Sequence, residues 1–316
     1  MLEHGGRLRA AAKRWGVPLA DWLDLSTGIA PWPYPVPPIP PEVWQRLPED
    51  GDDGDGLEAA ACDCYGVERL LALPGSQSGI QSLPHLMPAG RVAIPSPTYG
   101  EHPAAWHAAG HERVDWQAEA DYAVVCNPNN PTGQRHTRAE LLDRARGLRL
   151  LVVDESFVDA TPADSLADRA TDNIVVLRSL GKFFGLAGAR VGFAIAAPDL
   201  LAKRADAIGP WAVSHPARWA ARLAISDMAW QATQRVRLAD ASRRLDGLLR
   251  DAGLGEPTGC ALFQYCVTPR AGEIHKRLAR RGILVRLFDD PSALRFGLPA
   301  NEDEWRRLFQ ALGETS

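Results

Sequence analysis

Four side chains that could take part in one reaction stand at or soon after the ends of apolar stretches of the chain: Asn130, Asp154, Lys182 and Arg190. A lysine amine can combine with an aldehyde when burial or nearby positive charge lowers its pKa. A carboxylate that ends a run of Leu and Val needs a partner, because an isolated buried charge is costly. An amide, an acid, a lysine and an arginine together indicate a site for an anionic aromatic aldehyde.

The stretches that lead to these side chains are predicted to be strands of one sheet. Apolar runs of four to six residues alternate with helical periodicity from about 57 to 205, and these runs are 91–95, 122–126, 150–154, 174–178 and 191–196. Because the runs are continuous rather than alternating, they indicate strands buried on both faces and therefore a mainly parallel sheet between helices. Thr137 and Glu140 have the spacing of a capping box at the start of a helix over 138–147.

The run GSQSG at 75–79 is a candidate for binding the anionic group. It follows Leu73-Pro74 and opens a predicted helix that continues through Leu83. Free backbone N–H groups at the start of a helix bind a dianion well. Ser76 and Gln77 are the candidate residues in this turn.

The chain divides into regions of different pattern. The segment 31–41 holds seven prolines and is predicted to be an extended connector, since each proline fixes φ and removes a backbone donor. We predict an α/β protein with a large domain over 40–205. An N-terminal arm over 1–39 and a small α+β domain over 206–316 complete it.

Composition excludes several classes of protein. A net charge of −4 gives no general attraction to nucleic acid or anionic lipid, and no apolar run approaches the roughly 18 residues that span a bilayer. The eight histidines are scattered without metal-binding spacing. The first 16 residues lack the apolar segment of a secretory signal. The five cysteines are irregularly spaced, so we expect a reducing, cytoplasmic location. From the charge, the apolar runs and the histidines, we expect no nucleic-acid, membrane or metal partner.

The order and spacing of these motifs resemble the fold-type I pyridoxal phosphate (PLP) enzymes of the aminotransferase class I/II superfamily. The resemblance implies that Lys182 holds the PLP aldehyde and that Asp154 bonds the pyridine nitrogen. It implies that Asn130, in NPTG, bonds the 3′ oxygen, and that Tyr99 stacks on the ring. The implied phosphate ligands are Ser76, Gln77, Ser179 and Arg190. Arg295 aligns with the arginine that binds the substrate carboxylate, and a homodimer is expected.

Within the superfamily, three features resemble the branch of histidinol-phosphate aminotransferases and threonine-phosphate decarboxylases. They are His4-Gly5-Gly6 with Leu23-Asp-Leu-Ser26, the short chain, and Phe157 three residues after Asp154. The start of the chain favours the decarboxylases of cobalamin biosynthesis, which make (R)-1-amino-2-propanol phosphate. An aminotransferase acting on histidinol phosphate is the alternative. A PLP-sensing regulator is disfavoured, because such proteins carry an added DNA-binding domain.

The substrate of this branch is phosphorylated, and its phosphate needs donors. His4, Arg7 and Arg286 are the candidates, since these polar residues lie in segments expected near the mouth of the site. Two positions depart from the branch: Ala30 stands where relatives commonly have Asn, and Leu47 stands where many have a tyrosine that reaches the neighbouring subunit's cofactor phosphate.

Overall fold

The computed structural model describes residues 4–51, 54–170 and 173–313. Its helices are Leu8–Trp15 (α1), Pro41–Gln45 (α2), Leu57–Tyr65 (α3), Ser76–Ser82 (α4), Glu101–Ala108 (α5), Arg138–Ala145 (α6), Pro198–Ile208 (α7), His215–Ser226 (α8), Met228–Asp251 (α9), Ala271–Arg280 (α10) and Glu302–Gly313 (α11). Its strands are Leu23–Leu25 (β1), Leu71–Leu73 (β2), Arg91–Ala93 (β3), Glu112–Val114 (β4), Tyr122–Cys126 (β5), Leu150–Asp154 (β6), Ile174–Ser179 (β7), Gly192–Ile195 (β8), Thr258–Cys260 (β9), Phe263–Val267 (β10), Ile283–Asp289 (β11) and Ser292–Gly297 (β12). The α/β class is confirmed.

The chain forms two compact units. The first comprises the described parts of Met1–Trp32, Pro131–Gln134 and Arg235–Ser316, and the second comprises the described parts of Pro33–Asn130 and Arg135–Gln234. The predicted domain limits of 40–205 and 206–316 stay a prediction.

A seven-stranded sheet of the described residues forms the centre of the second unit, in the order β2-β8-β7-β6-β5-β3-β4. The pairings from β4 through β7 are parallel, and β8 is antiparallel to both β7 and β2. Every residue of β5, β6 and β7 is buried, as the continuous apolar runs predict. The core beside this sheet includes Trp106, Tyr122 and Leu177.

A five-stranded sheet of the described residues belongs to the first unit, in the order β1-β11-β12-β10-β9. β1 is parallel to β11, and the other pairings are antiparallel. The proline-rich segment contributes neither helix nor strand between Leu25 and Pro41, in agreement with an extended connector. Of the helices formed by the described residues, none combines the length and apolar character needed to cross a membrane.

The capping box of α6 offers a test of local stability. The side chain of Thr137 accepts the backbone N–H of Glu140, and the backbone N–H of Thr137 donates to the Glu140 carboxylate at 2.7 Å. We expect Thr137→Ala to lower the free energy of unfolding by about 1 kcal/mol in urea titrations, since the helix loses its cap. Thr233→Ala is the matched control, because the Thr233 hydroxyl only bonds the Ala229 carbonyl inside α9. Equal losses in the two variants would contradict the assignment.

Candidate active site

The carboxyl ends of three parallel strands carry or lead directly to Asn130, Asp154, Ser179 and Lys182. Cys126 of β5 is in register with Asp154 of β6, and Asp154 is in register with Leu177 of β7. β7 then ends at Ser179, three residues before Lys182. Asp154 therefore lies at the carboxyl-terminal end of the central strands, where the loops after β5 and β7 also begin.

Asp154 is buried, and both of its carboxylate oxygens accept hydrogen bonds. Oδ1 accepts from the backbone N–H of Ser156 at 3.0 Å and from the Ser156 hydroxyl at 2.5 Å. Oδ2 lies 3.0 Å from Nε2 of His102, on α5, and 3.9 Å from Sγ of Cys126. Burial opposes ionisation of Asp154, but the hydrogen bonds and charge of His102, with the Ser156 bonds, lower the pKa of its carboxyl below the usual value.

His102 is the cationic partner of this carboxylate. Burial alone would lower the pKa of the imidazole, but the Cys126 thiol and the Asp154 carboxylate raise it to about 10. An imidazolium with Nε2 directed at Asp154 keeps the carboxylate charged in a site that excludes water.

His102, Cys126 and Asp154 are also residue types that bind metals, and their potential ligand atoms lie within 4.8 Å of one another. These atoms are already joined by hydrogen bonds, and Thr98 adds a contact of 3.8 Å from its hydroxyl to the Cys126 sulfur. We interpret the cluster as a support for the carboxylate.

Lys182 lies half-buried beyond the end of β7, with Nζ 5.5 Å from the ring centroid of Phe157. The two residues that follow it, Phe183 and Phe184, are fully buried. Phe184 stacks on Trp230, with ring centroids 5.8 Å apart. This aromatic packing anchors the segment that carries the lysine.

The start of α4 forms a cradle for an anion. Its N-cap is Gly75, with φ of 79°, and none of the described side chains caps the first N–H groups of the helix. A Cβ atom on Gly75 would lie 2.6 Å from Nη2 of Arg190. On the other side, a Cβ atom on Gly192 would lie 2.5 Å from the backbone nitrogen of Ser76. Glycine at both positions is what lets the guanidinium and β8 approach the start of the helix.

Tyr99 and Gln77 bond each other beside this cradle. The Tyr99 hydroxyl donates to Oε1 of Gln77 at 3.2 Å, and Nε2 of Gln77 donates to the Glu101 carboxylate at 3.0 Å. Burial and the nearby charge of Glu101 raise the pKa of Tyr99 above its ordinary value. The amide of Gln77 therefore holds the tyrosine, while its assigned phosphate contact stays a prediction.

The NPNNPTG loop is fixed by two of its asparagines. The amide of Asn127 donates to the carbonyl of His136 and accepts the His136 N–H, both at 3.0 Å. Asn129 is buried and donates to the carbonyl of Pro97 at 3.0 Å. Asn130 follows them half-buried, and its contact with the 3′ oxygen stays a prediction.

A buried ion cluster stands beside the site. Arg178, the residue before Ser179 on β7, pairs with Glu155 at 2.9 Å and with Asp159. Its guanidinium carbon lies 4.2 Å from the ring centroid of Tyr65. Because Glu155 follows Asp154, this cluster ties the ends of β6 and β7 together. Ser179 itself is buried, and its hydroxyl accepts the N–H of Gly181 at 3.3 Å.

Arg295 belongs to the first unit, where its guanidinium is linked to the N-terminal motif. Arg295 is buried, and its Nη2 donates to the carbonyl of Ser26 at 3.1 Å. The Ser26 hydroxyl accepts the N–H of Gly6 at 2.8 Å, and a Cβ atom on Gly5 would lie 2.3 Å from the Ser26 carbonyl oxygen. The two sequence motifs of the N-terminal region therefore meet at one serine that also bonds the candidate substrate arginine.

The remaining candidates of this unit lie around that point. Arg286 of β11 is in register with Arg295 of β12 and lies half-buried. His4 and Arg7 are exposed and lie directly before and after the Gly5-Gly6 pair.

Ala30 and Leu47, which depart from the branch, and Phe157, which resembles it, have different environments. Ala30 and Phe157 are buried, whereas Leu47 is 60% exposed. A large apolar side chain at the surface is consistent with a place in an interface.

The sequence did not predict the residues that bond the candidate site residues or connect the strand ends that carry them: His102, Cys126, Ser156, Glu155, Arg178 and Glu101. The available signals were weak. Glu155 and Ser156 directly follow Asp154, and His102 follows Tyr99 by three residues on the same stretch.

The ionisation of His102 gives a testable pH dependence. Its folded-state pKa of about 10 lies above the ordinary value of 6.5, so the stabilisation from the charged ring is fully present below about pH 6.5 and is lost as the pH rises through about 10. In long-range ¹H–¹⁵N spectra of the apoprotein at about pH 8, we expect both ring nitrogens of His102 to be protonated. His102→Asn assigns the signal, and a neutral ring at that pH would contradict the arrangement.

Comparisons with known proteins identify the family and its relatives. Residues 54–312 match the family model described as aminotransferase class I and II. The chain is 53% identical to a threonine-phosphate decarboxylase of Pseudomonas aeruginosa, over 99% of this chain and 97% of that protein. It is 45% identical to a threonine-phosphate decarboxylase of Sinorhizobium sp, over 98% of this chain and 97% of that protein. It is 34% identical to a histidinol-phosphate aminotransferase of Mycobacterium bovis, over 92% of this chain and 88% of that protein.

Solved structures share the fold. The histidinol-phosphate aminotransferase of Sinorhizobium meliloti, in complex with pyridoxal-5′-phosphate, superposes with a TM-score of 0.85 at 20% identity, over 99% of this chain and 95% of that one. The L-threonine-O-3-phosphate decarboxylase of Porphyromonas gingivalis superposes with a TM-score of 0.76 at 20% identity, over 92% of this chain and 98% of that one. With a family match over most of its length, the chain belongs to the aminotransferase class I and II family.

Proposed function

We propose that the chain is a PLP-dependent decarboxylase that converts L-threonine-O-3-phosphate to (R)-1-amino-2-propanol phosphate and CO₂ in cobalamin biosynthesis. The observation that carries this proposal is the high identity to two threonine-phosphate decarboxylases along nearly the whole chain. The relatives named as histidinol-phosphate aminotransferases are more distant.

The residues of the second unit fit the cofactor. Gly75 leaves room for Arg190 beside the uncapped start of α4, and a Cβ atom would fill that space. Backbone N–H groups and a guanidinium are suitable donors for a phosphate dianion. We assign Ser76, Gln77, Ser179 and Arg190 to the phosphate group and Tyr99 to the ring.

The remaining residues of that unit fit the chemistry. Bound PLP supplies a ring that accepts the electron pair left on Cα when the carboxylate departs. Asp154, kept charged by His102, holds the proton on the pyridine nitrogen, and Asn130 binds the 3′ oxygen. Lys182 would hold the aldehyde until the substrate amine displaces it, and its released amino group would then give a proton from Nζ to Cα after CO₂ has left.

The first unit offers cationic groups for a substrate with two anionic ends. Arg295 has a planar fork of donors that matches a carboxylate. Arg286 lies beside it on the neighbouring strand, and with His4 and Arg7 it is assigned to the substrate phosphate.

We also infer a homodimer. Trp44, Leu47 and Trp211 of the second unit expose 65%, 60% and 55% of their surface. A dimer contact that covers these side chains would remove their apolar surface from water. Trp219 and Trp230, in α8 and α9, are partly buried.

The direct test is CO₂ release from L-threonine-O-3-phosphate in the absence of 2-oxoglutarate. We expect Lys182→Ala to lower turnover by at least about a hundredfold, because the proton donor is lost. Lys203→Ala, at an exposed position on α7, is the matched control and should retain activity. Amino transfer from histidinol phosphate to 2-oxoglutarate without CO₂ release would instead support the aminotransferase.

The cradle has its own test in cofactor binding. Gly75→Ala places a methyl group 2.6 Å from Nη2 of Arg190 and strains a residue with φ of 79°, so Arg190 must move. We expect the apoprotein to bind PLP at least about tenfold more weakly, as for the loss of a charged hydrogen bond. Gly188→Ala is the control in the loop before Arg190, since a Cβ atom there meets nothing within 4 Å. Unchanged binding in Gly75→Ala would exclude this cradle.

A further inference from the structure

Ser156 is a buried serine to which none of the roles above is assigned. Only 6% of its surface is exposed, and its hydroxyl and backbone N–H both point to Oδ1 of Asp154, at 2.5 and 3.0 Å. On its other side, Oγ of Ser156 lies 3.4 Å from Oγ of Ser76, the first residue of α4. One hydroxyl therefore connects the start of the anion cradle to the buried carboxylate.

The direction of these hydrogen bonds follows from the number of protons available. An ionised carboxylate only accepts, so Ser156 must give its single hydroxyl hydrogen to Asp154. The contact between the two serines is then made with the hydrogen of Ser76. Since His102 supplies the bond to Oδ2, the hydrogen bonding of Oδ1 depends on Ser156.

The Ser76 hydroxyl has the same limit of one hydrogen. If a phosphate oxygen takes that hydrogen, the Ser76 donation to Ser156 ends. Ser156 is then less polarised, and its bond to Asp154 weakens, because linked hydrogen bonds strengthen one another.

We propose that Ser156 is a positioning residue that couples the occupancy of the phosphate cradle at Ser76 to the hydrogen bonding of Asp154. Phosphate binding frees part of the Asp154 carboxylate for the ring nitrogen. The inference rests on the proposed function, because it assigns the ring nitrogen to Asp154 and the phosphate to Ser76.

The test is a double-mutant cycle on cofactor affinity. The dissociation constant for PLP is measured by titrating the apoproteins of the wild type, Ser76→Ala, Ser156→Ala and the double variant. We expect Ser76→Ala to weaken binding about tenfold, as for a lost charged hydrogen bond to the phosphate. Ser156→Ala leaves Oδ1 of Asp154 free already in the apoprotein, so by itself it should change the affinity by less than about threefold. The double variant should fall short of the product of the two effects by at least about threefold, because coupled contacts are not additive. Effects that multiply within error would overturn the coupling.

A spectroscopic readout separates positioning from a merely structural role. The midpoint pH of the absorbance change of the bound cofactor should shift from the wild-type value in Ser156→Ala and equal the wild-type value in Ser82→Ala. Ser82 is the matched control in α4, because its hydroxyl only donates to the Ser78 carbonyl at 2.8 Å. An unchanged pH midpoint in Ser156→Ala would count against the proposal.

Ser156→Cys keeps the test decisive if the alanine variant does not fold. A thiol has a similar shape and is a weak donor, so affinity and midpoint should lie between those of serine and alanine. Wild-type values in this variant would refute the need for the hydroxyl. Failure of the wild type to bind PLP would instead overturn the proposed function. This outcome is therefore distinct from the failure of the coupling proposal.

Discussion

A buried carboxylate that must stay charged is the constraint on which the site depends. Asp154 is buried at the carboxyl-terminal end of a central strand. An unpaired charge there would cost several kcal/mol, which is roughly the loss when one partner of a buried ion pair is removed. Four donors offset this cost: the imidazole of His102 on α5, the thiol of Cys126 on β5, the hydroxyl of Ser156 and the backbone N–H of Ser156. Each of them also fixes the direction of the carboxylate.

The rest of the second unit is organised around that strand end. Parallel register places Asp154 between β5 and β7, and the ion cluster of Arg178 with Glu155 holds the two strand ends at a fixed distance. Antiparallel β8 then returns the chain to the start of α4, where glycine at positions 75 and 192 allows close approach of the backbone and a guanidinium. Anion cradle, lysine and acid are consequently fixed by one set of strands rather than by separate loops.

Much of this arrangement follows from local sequence, and part of it does not. β5 and β6 have the predicted bounds, because strands buried on both faces give continuous apolar runs. β1 was not predicted, since three residues are too few to show a period. The partnership of Asp154 with His102 spans 52 positions of the chain and depends on how α5 packs against the sheet, which no spacing encodes. The side chain of Gln77 likewise turns to Tyr99 and Glu101 through tertiary packing.

The bond between Arg295 and the Ser26 carbonyl has a practical consequence for handling the protein. Ser26 is bonded by Gly6, so the first residues described are linked through one serine to the arginine assigned to substrate. An affinity tag fused directly ahead of His4 would begin only a few residues from that link. Cleaving such a tag before kinetic work, or moving it to the other terminus, avoids altering apparent substrate affinity through crowding of the arm.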